Sequence, residues 1–554
     1  MVQKMMKRIF GDFKICLFII VVLAGIFRFY QLDKVPVSLY WDEVSQGYNA
    51  YSILTTGRDE YGKFLPILFR AYDDYKMPLN IYLTALSVKA FGLDEFAVRA
   101  PSALLGTLTV LVTFFLVVQL LTKSKWEKGQ KYKKQIALLS AFFLAISPWH
   151  IQFSRAGFEA NLALFFIVLG AWLFIKGLND YKYYIFSLIS FALACYGYRS
   201  VEVFLPILLL GLFIGFRKEL LKAGLLKLGL GLILLGLLTL PLLRPLLGEG
   251  SSRFDQTSIT IAVNQTALVN FQKGIPTNRK VLYAGIFLQD YLSQFTPQFL
   301  FIQGDPNGRQ SPGGMGMLYL WEIPFLLVGL YAIYKYFSSP VKITIFTWLL
   351  AAPLPAALSI PVPHALRTLN ILPVPQIITA LGVICLFFVF NKNIKKIYVA
   401  VLALLILFFF VRYVGLYNFT NTKSNVADWA DGYKQLTQYV FANDKDYDKV
   451  LVSGHYWEPY AYFLFYKKFD PEIYQDKGTS NGFGKYVFGG TSWDKDKNSQ
   501  ELGDINLRKY AKTKGKLLVA LSPGEYIPQK DTIIKLTEIK NHNNQTVFIV
   551  GKAK

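Results

Sequence analysis

Two adjacent carboxylates, Asp42 and Glu43, follow the run Val35-Pro36-Val37-Ser38-Leu39-Tyr40-Trp41 directly after the first apolar stretch of the chain. About thirty residues on, Tyr72-Asp73-Asp74-Tyr75-Lys76-Met77-Pro78 brings two more acids and a lysine. Other ionisable residues near the ends of apolar runs are Arg155, Glu159, Arg199, Arg253, His364 and Arg367. Carboxylates beside fixed cations suit a reaction with a general base on one side and a phosphate leaving group on the other. Blander uses exist for each. Asp42 and Glu43 suit a helix start, and arginines at the end of a membrane span can reach lipid phosphate. Lys76 would serve as a loop charge, and His364 would cap the next span. Asp59-Glu60 lies between Gly57 and Gly62 and reads as a solvated turn.

The elements that must position these groups are apolar. Of 554 residues 53% are hydrophobic and only 17% charged, against roughly 25% charged in a soluble domain. Runs near or above the roughly 18 apolar residues that cross a hydrocarbon core recur along the chain, which predicts a polytopic α-helical membrane protein. About eleven spans are expected, near 13–30, 99–121, 135–148, 159–176, 183–198, 201–216, 223–243, 318–335, 342–358, 369–390 and 397–413. The first has no small-residue cleavage site and reads as a retained anchor.

The loop 123–134 holds six lysines against one glutamate and is assigned to the cytoplasmic side. Walking outward from it puts 31–97 and 244–317 in two long outer loops, within a membrane domain 1–420. Within the first loop, Ile81 to Phe91 is amphipathic enough to lie along the interface. The acids and cations above then fall at one outer face, and the middles of the spans hold almost no charge. The net charge of +23 is therefore a topology signal, and nucleic acid is set aside as a partner. Cys16, Cys195 and Cys385 each sit in an apolar run without partner spacing, so neither a disulfide framework nor a thiolate metal site is expected.

From 421 to 554 the composition is that of a small extracytoplasmic α/β domain. Helices are expected at 431–442 and 459–466, and strands at 449–453, 485–488, 516–521 and 546–550. No glycine-rich phosphate loop marks it as an independent enzyme.

The segments Pro36 to Glu43, Gly47-Tyr48-Asn49-Ala50, Lys76-Met77-Pro78-Leu79, Arg99-Ala100-Pro101-Ser102, Ser147-Pro148-Trp149-His150 and Phe153-Ser154-Arg155 together resemble the protein O-mannosyltransferase and aminoarabinose-transferase superfamily. These are glycosyltransferases of the GT-C fold, family 39 type. The resemblance is strongest over 30–200 and looser in the last domain. It implies transfer of a monosaccharide from a polyprenyl-phosphate donor to a protein, lipid or glycan acceptor, with inversion, at the outer face of the cytoplasmic membrane. It puts catalysis on Asp42 with Glu43 beside it, and donor phosphate on Lys76, with Asp74, Arg155, Arg199, His364 and Arg367 as further substrate-binding candidates. Some relatives carry a glutamate directly before that lysine and two prolines after it; here Tyr75 precedes Lys76, and Asp74 is the nearest acid to take the glutamate's place. No cofactor is assigned, and a divalent metal stays open. A transporter or flippase of lipid-linked saccharides is the alternative, and would show inverted repeats and midplane polar groups.

Overall fold

The structure, a computed structural model, describes residues 12–72, 74–124, 126–248, 257–456, 458–489 and 515–554. Asp73 and Arg253 lie outside them. Each of the eleven apolar runs forms a helix. Among the described residues, seven helical stretches are long and apolar enough to cross a membrane, namely Glu95–Thr122, Glu159–Gly177, Ser200–Lys222, Leu225–Leu243, Ser339–Ala357, Leu369–Val389 and Lys392–Ser424. Lys133–Ala145 and Pro148–Ser154, bent by 57°, make an eighth if counted as one span. The bend falls where Ser147 caps a new helix and Pro148 occupies its first turn. The remaining three runs give the helices Phe13–Phe29, Tyr181–Cys195 and Ile323–Tyr336, of 17, 15 and 14 residues.

The chain divides into two compact units. The first comprises Met1–Tyr30 and Ser102–Tyr417, the second Gln31–Pro101 and Asn418–Lys554. In the first, the helices Ile323–Tyr336 and Val374–Val389 cross backbone to backbone. A Cβ on Gly329 would meet the Ile378 carbonyl, and one on Gly382 the Phe325 carbonyl. Small residues at such a crossing let two membrane helices approach where no apolar–water contrast drives them together.

The second unit differs from the division expected at residue 420, because the loop after the first helix shares a core with the C-terminal residues. Leu39, Val44, Tyr48, Ile81, Val88 and Val98 belong to one buried cluster with Leu436, Val450, Phe463, Phe465, Leu518 and Val550. The stretch 81–91, expected along an interface, is part of the helix Pro78–Phe91 and buries Ile81, Ala85 and Val88 in that cluster.

Two strands, β1 (Phe69–Ala71) and β2 (Asp74–Lys76), form an antiparallel hairpin in register Phe69 with Lys76. The C-terminal sheet holds β3 (Lys449–Val452), β4 (Gly482–Phe483), β5 (Tyr486–Phe488), β6 (Leu517–Leu521), β7 (Ile533–Lys540) and β8 (Thr546–Ala553) in the order β4-β5-β3-β6-β8-β7. Strands β5, β3 and β6 run parallel, and the outer ones antiparallel. The four expected strands are present; β7 was not expected, its exposed Lys535, Leu536 and Lys540 blurring the alternation.

Candidate active site

In the second unit, the helix Trp41–Thr56 begins at Tyr40, whose amide donates to Glu43 Oε2 at 3.3 Å. This side-chain cap satisfies a donor at the helix start that would otherwise be orphaned. It also fixes Asp42 in the first turn, part exposed, while Glu43 turns inward and is fully buried. There Glu43 meets Arg99, Oε1 receiving Nε at 2.9 Å and Oε2 receiving Nη2 at 3.1 Å. The same guanidinium donates to the carbonyls of Leu32, Pro36 and Ser38, and its centre lies 6.0 Å from the Trp429 ring. Arg99 thus gathers the whole stretch 32–38 that leads to the acidic pair. In the sequence it stood in the Arg99-Ala100-Pro101-Ser102 segment of the resemblance, with nothing local to name its partners.

Lys76, at the end of β2, is 7% exposed. Its Nζ lies 3.0 Å from Asp42 Oδ1 and 3.0 Å from Asp74 Oδ2. The hairpin is set against the helix by Tyr72, whose hydroxyl donates to the Trp41 carbonyl at 2.7 Å. Asn80, just inside the next helix, donates to Gln46 Oε1 at 2.7 Å. One ammonium thus balances two carboxylates, and among the described residues no group of three His, Cys, Asp or Glu is placed to hold a metal.

Asp59 and Glu60, read as a solvated turn, are 1% and 2% exposed. Asn49 clamps Glu60 from both ends, Nδ2 donating to Oε1 at 3.0 Å and Oδ1 accepting the Glu60 amide at 3.0 Å. Burial pushes the Glu60 carboxyl up to about 8, opposed by the Asn49 hydrogen bond and reinforced by Asp59. Burial likewise raises Asp59.

In the first unit, Arg155 donates to the carbonyls of Phe27 at 2.8 Å and Tyr30 at 2.8 Å, and through Nε to the Tyr417 hydroxyl at 3.1 Å. These contacts close the C-terminal end of the helix Phe13–Phe29. Arg367 Nη1 donates to Ser359 Oγ at 2.8 Å and to the Ile360 carbonyl at 2.7 Å. His364 is buried with Nε2 3.5 Å from Gln310 Nε2. Arg199 is half-buried immediately before the helix Ser200–Ala223. The structure therefore brings Asp42, Asp74 and Lys76 together, ties Glu43 to Arg99, and places Arg155 on a helix end. His364 and Arg367 share one turn, over Asp305, whose carboxyl burial raises to about 6 against the pull of two backbone amides, Arg367 and Arg309.

Comparison with known proteins bears on the fold. Residues 76–243 match the family described as dolichyl-phosphate-mannose-protein mannosyltransferase. No curated protein sequence matches the chain significantly. Among solved structures, ArnT from Cupriavidus metallidurans bound to undecaprenyl phosphate is similar at 13% identity and a TM-score of 0.58, covering 96% of this chain and 97% of its own. The apo state of that protein gives 12% and 0.57 with the same coverage. The archaeal oligosaccharyltransferase AglB from Archaeoglobus fulgidus, in complex with an inhibitory peptide and a dolichol-phosphate, is similar at 13% identity and a TM-score of 0.52, over 82% of this chain and 64% of its own. With the family match and the near-complete structural overlap taken together, the chain has the GT-C glycosyltransferase fold of the protein O-mannosyltransferase and aminoarabinose-transferase type.

Proposed function

We propose that this protein is a membrane glycosyltransferase that moves a monosaccharide from a polyprenyl-phosphate donor to a hydroxyl or similar nucleophile of a protein, lipid or glycan acceptor, with inversion. The observation that carries the reading is the triad of Asp42, Lys76 and Asp74. A part-exposed carboxylate stands 3.0 Å from a buried ammonium that a second carboxylate also holds. The fold similarity to proteins solved with undecaprenyl phosphate and dolichol-phosphate supports a lipid-phosphate donor.

In this reading Asp42 accepts the proton of the attacking acceptor group as its oxygen bonds to the anomeric carbon. The bond from that carbon to the phosphate oxygen breaks, and its electron pair leaves with the polyprenyl phosphate. Lys76 moves its charge from Asp42 towards the developing phosphate anion, with Asp74 keeping the ammonium in place. Asp74 thereby takes the part of the acid that some relatives carry directly before the lysine. Preorganised cations of this kind are worth on the order of 3 kcal/mol per donor. Arg367 and His364 are further candidates for the phosphate, and Arg199 stays open. Glu43 and Arg155 are assigned positioning roles instead, because their charges are already met by Arg99 and by helix-end carbonyls. The active site is proposed to face the extracytoplasmic side of the cytoplasmic membrane, following the lysine-rich loop 123–134.

The test is transfer of radiolabel from polyprenyl-phosphate sugars to acceptor fractions by the full chain in nanodiscs. Asp42→Asn is expected to lose about a thousandfold in rate, the scale of general-base catalysis, with unchanged insertion and thermal stability. Turnover within about threefold of wild type in that variant would remove Asp42 from the mechanism.

A further inference from the structure

The turn 361–367, which carries His364 and Arg367, is held in an unusual way within the first unit. Three consecutive backbone amides are each received by a side chain from a distant segment. The His364 amide donates to Gln294 Oε1 at 3.2 Å, the Ala365 amide to Asp305 Oδ2 at 2.6 Å, and the Leu366 amide to Gln310 Oε1 at 3.0 Å. Gln294 Oε1 also accepts from Thr368 Oγ1 at 3.0 Å, and the Ala365 carbonyl accepts from Trp149 Nε1 at 3.1 Å. Gln294, Asp305 and Gln310 are all buried, at 0%, 6% and 6% exposure.

Buried amides must find partners, but a loop ordinarily finds them in its own backbone or in water. Here the sequence supplies three long-range acceptors, and the central one is a carboxylate. An uncharged asparagine would accept the same hydrogen bond without the cost of burying a charge. The carboxylate also offers a second oxygen, and Arg367 and Arg309 attract its charge. Asp305 Oδ1 is further oriented by the Asn307 amide at 2.8 Å.

We propose that Asp305, flanked by Gln294 and Gln310, is a positioning residue for the transfer reaction: it fixes the 364–366 backbone and sets where the Arg367 guanidinium meets the donor phosphate. This rests on the assignment of Arg367 to phosphate made above. Asp305 acts through Arg367 and touches neither donor nor acceptor.

A double-mutant cycle tests the coupling. Using the full chain in nanodiscs and the polyprenyl-phosphate sugar the wild type turns over, Asp305→Ala is expected to lower kcat/KM by roughly tenfold. Asp305→Asn, which keeps an acceptor for the Ala365 amide, should recover most of that loss. The double variant Asp305→Ala/Arg367→Ala should be no worse than Arg367→Ala alone, because the arginine through which Asp305 acts is already gone. Losses that multiply across the two sites would overturn the proposal, as would wild-type kinetics for Asp305→Ala. Hydrogen exchange supplies a readout independent of turnover. Amides 364–366 should exchange faster in Asp305→Ala while the rest of the chain is unchanged, and unaltered exchange there would equally sink the idea. If the wild type transfers no lipid-linked sugar yet those amides respond, it is the function that fails and the strap that stands.

Discussion

The acidic corner around Asp42 in the second unit and the helix end around Arg155 in the first meet their charges by different means. Around Asp42, charge meets charge: Lys76 is shared by two carboxylates, and Arg99 is matched to Glu43. Arg155, in the first unit, is met by the backbone carbonyls of Phe27 and Tyr30 and by a tyrosine hydroxyl. Carbonyls at a helix end attract a cation through the helix dipole, and an arginine bound to several of them is a structural pin. An ammonium between two carboxylates can exchange one of them for a phosphate at little electrostatic loss. The contrast separates residues that can take part in a reaction from residues that hold the parts, and Asp42→Asn, with the largest expected loss of rate, probes the first class.

Arg99→Ala probes the second. Glu43 and Arg99 are both fully buried, so removing one leaves the other uncompensated, a loss of about 3–5 kcal/mol. Thermal unfolding of the second unit should show it, and joint replacement by Glu43→Gln and Arg99→Met should cost less than Arg99→Ala alone. A single variant that unfolds like wild type would mean that the 32–38 carbonyls need no arginine.

The two arginines of the first unit sharpen the comparison further. Arg367→Ala should raise the donor KM or lower kcat by about ten- to a hundredfold, in keeping with loss of one anion-stabilising donor. Arg155→Ala should instead lower stability by about 1–3 kcal/mol, the scale of buried polar groups left unmatched, with kinetics of the folded fraction near wild type. The reverse pattern would exchange their roles.

Gly47 tests how the site helix is clamped within the second unit. A Cβ there would lie 2.5 Å from Phe465 Cε2 and 2.8 Å from Val98 Cγ2. Tyr462 donates to the Leu39 carbonyl, Tyr48 to the Phe469 carbonyl, and Gln475 to Ser52, Thr56 and Asp59. Gly47→Ala is expected to cost about 1–3 kcal/mol through overpacking, read as a lower melting temperature. A neutral result would show that the clamp gives way easily.

How much of this was legible in the sequence follows from the range of the interactions. Apolar run length announced a helix at each of the eleven runs, seven of them long and apolar enough to cross a membrane, since crossing a bilayer is a local demand on composition. Asp42, Asp74 and Lys76 stood out because acids and a lysine near apolar segments have few cheap uses. Arg99 carried part of the resemblance but no role, because its partners lie up to 67 residues away. Glu43 was read as chemical because it neighbours Asp42 in the acidic pair, and its buried partner Arg99 lies 56 residues on. The shared core of 31–101 and 418–554 was hidden for the same reason, and with it the burial of Glu60, whose flanking glycines promised a solvated turn.

Glu60 gives the finest test of that burial. Its folded carboxyl is raised to about 8 by desolvation, whereas an unfolded glutamate titrates near 4.5. Below the lower value both states carry the proton. Between the two, the folded state binds more protons than the unfolded one, so stability falls as pH rises, by at most about 1.4 kcal/mol per pH unit for one site. Above 8 the loss is complete and the slope vanishes. Asp59, also raised by burial, contributes with the same sign, while Arg70 opposes and Glu458 reinforces the Glu60 shift. Glu60→Gln keeps an acceptor for Asn49 and removes the titration. Melting curves between pH 5 and 8 should therefore be flatter for that variant than for wild type. Equal slopes would mean that Glu60 is solvated after all, and the contrast between exchangeable and fixed charges would then lose its buried acid.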